Sequence, residues 1–161
     1  MNTQLGNDVA MFRYLGGRGI VPDALVEPTN TPKPETLRIN IVFSDLHTTK
    51  LALKRAVELA IDLSAETQII VPHVVPYPLD LECPVVPLEF TCHQLQIFAG
   101  STGADPYIHV YLCRDVMDLL RKLLPAGSIA VLGTSKRWLF PTRSERIAHR
   151  LRKGGCDVVL V

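Results

Sequence analysis

A chain of 161 residues with 47% hydrophobic and 20% charged residues has the size and make-up of one globular domain with a core of its own. Its net charge of +1 gives no general attraction to nucleic acid or an acidic membrane, and no apolar run reaches the roughly 18 to 20 residues of a membrane span. The opening MNTQLGNDVAMFRYLGG lacks a positive charge followed by an apolar block, so a secretory leader is not expected and the cytoplasm is the expected compartment.

Residues 1–36 differ in composition from 37–161 and form an N-terminal extension. Pro28-Thr-Asn-Thr-Pro32-Lys-Pro34 has the make-up of an extended linker. The apolar Val9 to Leu15, with Ile20 and Val21, either docks on the domain, docks on a partner subunit or stays disordered. From Leu37 the pattern becomes regular. Arg38 to Phe43 predicts a strand ending at Ser44-Asp45, and Thr48-Thr49 can cap a helix running to Leu63. Gln68 to Val75 is nearly all apolar, as in a strand buried on both faces, although Pro72 inside it implies an edge, a bulge or a strand start.

Pro76 to Pro87 is a proline-rich loop ahead of a weak helix over Leu88 to Ala99. A third strand follows at Tyr107 to Cys113, then a helix capped by Asp115 that ends at Pro125-Ala126-Gly127. The fourth strand, Ser128 to Leu132, runs into Gly133-Thr134-Ser135 and a basic loop. A last helix from Arg143 to Lys153 stops at Gly154-Gly155, and Asp157 to Val161 is the fifth strand. Strands alternating with helices at this spacing predict an α/β domain, a doubly wound five-stranded parallel sheet with right-handed crossovers and helices on both faces.

Cys83, Cys92, Cys113 and Cys156 form no C-x-x-C pair, and Cys113 and Cys156 fall where a thiol is a small buried hydrophobe. Cys92-His93 is one adjacent pair of soft ligands, and a zinc site needs two more, so no metal is expected. A strand that runs into Gly-Thr-Ser ahead of a helix is where α/β proteins hold phosphate, through free amides and the helix dipole. Lys136, Arg137, Thr142 and Arg143 could instead hold an anion by their side chains, against the alternative of a solvated basic loop with Trp138, Leu139 and Phe140 packed on the sheet edge or in a subunit contact.

The first unit, INIVFSDLHTTKLALKRAVELAIDLSAETQIIVPHVV, and the last, IAVLGTSKRWLFPTRSERIAHRLRKGGCDVVLV, resemble the universal stress protein family of the adenine-nucleotide-binding α/β superfamily. The resemblance covers about Leu37 to Val161 and implies strand order 3-2-1-4-5 and a homodimer paired through the last strand, Asp157, Val158, Val159, Leu160 and Val161. It also implies that Asp45 touches a ribose and that Val74 offers main chain to an adenine. Gly133 with Thr134 opens the family's phosphate loop, and Thr142 closes it. Lys136 and Pro141 stand where that loop carries its second and third glycines, and the loop is shorter. A long side chain blocks close approach of a phosphate, and a proline removes an amide donor.

The expected function is thus a non-enzymatic, stress-associated regulatory protein. It is expected to act as a homodimer and to sense a nucleotide, ATP or AMP, or another small anion at the crevice of the first and fourth strands. A pure interaction module that has lost its ligand is the main rival. An enzyme hydrolysing ATP slowly comes third, because neither an H-x-G-H nor an S-G-G-x-D-S motif occurs. Asp45 has a second reading as the cap of the first helix.

Overall fold

The computed structural model describes residues 9–15, 19–22, 36–81, 83, 86–103, 106–135 and 140–161. The central strands are β3 (Arg38–Val42), β4 (Glu66–Val74), β5 (Tyr107–Cys113), β6 (Ile129–Leu132) and β7 (Asp157–Leu160). They pair in parallel in the order β5-β4-β3-β6-β7, which is the expected 3-2-1-4-5 arrangement. The sheet is wider than the periodicity predicts. Val9–Leu15 (β1) and Gly19–Pro22 (β2) form an antiparallel hairpin, and β1 pairs with β5 from Val9↔Cys113 to Tyr14↔Ile108. The apolar stretch near the N-terminus therefore docks on the domain and covers the β5 edge. The Pro/Thr-rich run lies outside the described residues.

Two helices cover each face. Helices α1 (Leu46–Leu63) and α2 (Leu88–Thr102) close one core around Ile39, Ile41, Ile69, Val71 and Val110. Helices α3 (Val116–Leu123) and α4 (Arg143–Lys153) close the other around Val42, Ile70, Tyr111 and Leu132. Residues along β3 and β4 thus serve both cores, which is why Ile41-Val42 and Ile69-Ile70-Val71 are unbroken apolar runs. Asn40 is the buried polar residue of β3. Its Nδ2 donates to the Ile129 carbonyl at 2.9 Å while its Oδ1 accepts from Gln68 Nε2, so its desolvation is compensated.

Pro72 marks neither an edge, a bulge nor a strand start. It lies inside β4, paired with Tyr111 of β5. The Ile70 carbonyl accepts from Phe43 N at 2.9 Å, so residues of this parity turn toward β3. Two residues on, Pro72 faces the space past the last paired residue of β3, Val42, where no ladder donor is required. That space is the switch point of the sheet. Helix α1 also starts earlier than Thr48-Thr49, because Asp45 is its cap and Thr48 sits in its first turn.

Among the described residues no helix is long and apolar enough to cross a membrane.

Candidate functional site

The chain crosses to the opposite half of the sheet between β5 and β6, so the carboxyl ends of β3 and β6 diverge and leave a crevice. A cavity of about 530 Å³ occupies it. Val42, Phe43, Val71 and Leu95 give it apolar walls; His73, Gln94, Arg143 and Ser144 supply polar atoms. Burial holds the His73 imidazole below its ordinary pKa, so the ring stays neutral into mildly acidic solution. An apolar space with a few convergent polar groups is the usual form of a small-molecule site.

Next to it, the first turns of α1 and α4 face each other across a smaller cleft of about 340 Å³, bordered by Asp45, Ser135, Thr142 and Arg143. The sequence-predicted residues Asp45, Thr142 and Arg143 do meet here. Asp45 Oδ1 accepts from Thr48 N at 2.9 Å and its Oδ2 from Thr48 Oγ1 at 2.5 Å. Burial pushes this carboxyl up, but the bonds from Thr48 and the nearby His47 outweigh it and hold the group below its ordinary value. Both oxygens thus serve the cap.

Gly133 and Thr134 lie behind the cleft, Gly133 packed against α1 and Thr134 with its amide bonded. A Cβ on Gly133 would stand 1.9 Å from the Thr48 carbonyl oxygen, so glycine is required there by the passage of α1 across the end of β6. The Thr134 amide donates to the Val161 carbonyl at 2.7 Å, and its hydroxyl bonds Thr142 Oγ1 at 2.9 Å. Thr142 caps α4 in a reciprocal box: its Oγ1 accepts from Glu145 N at 3.2 Å, and its amide donates to Glu145 Oε2 at 2.7 Å. Lys136, Arg137, Trp138 and Leu139 fall outside the described residues, while Phe140 is 79% exposed rather than packed.

Val74 stands at the end of β4, 43% exposed, beside a second groove instead of the cavity. Val158 and Leu160 of β7 pack on the α3–α4 core, and Val159 and Val161 on the α1–α2 core. The outer edge of β7 meets no strand among the described residues. Asp157 N and Val161 N both donate toward β6, so Val158 and Leu160 turn their main chain outward, and the Val158 carbonyl accepts from Arg152 Nη2 at 2.9 Å. Cys113 and Cys156 are buried free thiols. Burial and then Asp115 push Cys113 up to about 11, with Arg143 pulling the other way. Among the described residues no group of three or more His, Cys, Asp or Glu side chains could hold a metal; His93 is exposed, and the Cys92 side chain is outside the description.

Sequence reasoning did not single out His73, Gln94, Ser144 or the α2 wall of the cavity. The crevice of the first and fourth strands and Arg143 were expected from the sequence, and both belong to this cavity. No protein-family model and no curated protein matches the chain.

Proposed function

We propose that this chain is a regulatory binding protein of the universal stress protein kind, without turnover of its own. It acts as a homodimer and senses a nucleotide or another small anion at the β3/β6 crevice. The observation that carries this function is the 530 Å³ cavity at the switch point, apolar inside and rimmed by Arg143 and Ser144 of the α4 start. The amides of Thr134 and Thr142, at the two ends of the loop, are already bonded within the chain, and Arg143 stands beside them to meet charge on a ligand. The β7 edge, which meets no strand among the described residues, supports pairing of two copies, as exposed strand edges invite it.

Thermal unfolding with and without millimolar AMP, ATP and magnesium tests the ligand. A ligand at about 100 times its dissociation constant adds about 2.7 kcal/mol, a shift of several degrees. That shift is expected for the native chain and lost in Thr91→Trp, which fills the cavity from α2. No shift with any nucleotide overturns the proposal. It would favour the rival, a module working through its surfaces alone, for which the closed main chain at Gly133 and Thr134 is the specific support.

A further inference from the structure

Helix α4 carries five of the chain's 17 Lys and Arg residues, although the chain as a whole is nearly neutral. Arg143, Arg146 and Arg150 follow one another at helical spacing, and all three are exposed. Together with Arg114 at the end of β5 they line a groove of about 340 Å³ whose floor is Val74 and Ile147. Arg114 is fixed in place: its Nη1 donates to the Val75 carbonyl at 2.8 Å, and its guanidinium lies 4.2 Å from the Tyr77 ring centre. Among the described residues no carboxylate pairs with Arg143, Arg146 or Arg150. Glu145 closes the capping box, and Asp115, which borders the groove, accepts from Asp118 N at 2.9 Å.

Four guanidinium groups around one small groove exceed what a solvated helix face needs. Arg143, Arg146 and Arg150 each present a planar fork that matches two oxygens of one phosphate, and Arg114 adds charge from a fixed position. The groove is not isolated, because Arg143, Val116 and Ile147 border both it and the 530 Å³ cavity. Its small volume suits a short group better than an extended nucleic acid or peptide, and the near-neutral chain offers no wider field to draw one in.

We infer that the arginine groove binds the phosphate limb of a small molecule carrying two or more phosphate groups, leading away from the β6–α4 loop along the α3–α4 face. The uncharged end of that molecule occupies the switch-point cavity, a step that rests on the function proposed above. The phosphate limb stands on the groove alone.

Isothermal titration of the full chain with sodium tripolyphosphate at low salt tests it, with orthophosphate as the single-phosphate arm. Saturable binding of tripolyphosphate, tighter than orthophosphate, is expected. Arg146→Gln and Arg150→Gln should each weaken it about tenfold, since a charge-assisted bond is lost. Arg55→Gln removes the same charge from α1 and should leave binding unchanged. Thr91→Trp should keep tripolyphosphate while losing any nucleotide, which separates the two sites. Absence of saturable binding, or equal weakening by Arg55→Gln, overturns the inference. So does tighter, arginine-dependent binding of single-stranded RNA or polyglutamate. A nucleotide shift that persists without tripolyphosphate binding would leave the cavity proposal standing and remove this one.

Discussion

At the start of α1 the polar groups satisfy one another: Asp45 takes both donors of Thr48, and Ser44 Oγ bonds Thr48 Oγ1 at 2.9 Å. At the start of α4, Thr142 and Glu145 close a similar box, yet Arg143 and Arg146 stand outside it without a carboxylate partner among the described residues. The two helix starts face the same cleft and share the same capping chemistry, and they differ in what is left over. A cap consumes its own donors and acceptors; surplus charge is what remains for a ligand. By this measure the α4 start is the one our proposal assigns to a ligand, while Asp45 is the cap of α1.

Substitutions at the junction of the two starts should break that contrast most visibly. Gly133→Ala drives a methyl group into the Thr48 carbonyl and should cost about 3 kcal/mol in urea unfolding. A stable Gly133→Ala protein would mean that α1 does not pack on β6 as described. Asp45→Ala and Thr142→Ala should each lose about 1 kcal/mol, the worth of a helix cap. Asp45→Ala should nonetheless retain any anion bound by the native chain, whereas Arg143→Gln should keep stability and lose about tenfold in anion affinity. The reverse pattern would exchange the roles of the two helix starts.

Titration sharpens the contrast further. His73 is held neutral in the folded state, so the unfolded chain binds the extra proton and stability falls as pH drops below about 6.5. His73→Gln should flatten the decline between pH 7 and 5, read from melting temperatures. Asp45 acts in a lower window. Its folded pKa is depressed, so its contribution is present above about pH 3.9 and lost as pH falls through the folded value. The smallest effect is expected at the β7 edge. Arg152→Ala releases the Val158 carbonyl and should raise the dimer fraction in light scattering; a fall would place the dimer contact elsewhere.

The five-stranded frame was legible in the sequence because apolar runs of strand length alternate with helical periodicity, and both signals are local. The β1–β2 hairpin was not. Its residues are apolar, but their pairing with β5 joins segments about a hundred residues apart, and no local pattern encodes such a partner. Asp45 was legible as a residue of consequence and not as to which. An aspartate before a helix has one chemistry for a cap and for a ribose, and the Thr48 distances show the cap. Gly133 shows the same ambiguity, since glycine permits close approach to a phosphate or to a neighbouring helix alike. The crevice was expected, but its α2 wall was hidden because that helix has only weak amphipathic periodicity, and His73 and Ser144 meet there from a strand and a helix far apart in the chain.

Amide chemical shifts of the ¹⁵N-labelled chain, titrated with AMP and then ATP, test the central claim most directly. Shifts converging on His73, Gln94, Arg143 and Ser144, with Lys54 and Gly103 on the far side of α1 unmoved, are the result predicted for a ligand at the switch point. Spectra that stay unchanged at millimolar nucleotide, or shifts gathered along α1 and Gly103, would contradict it.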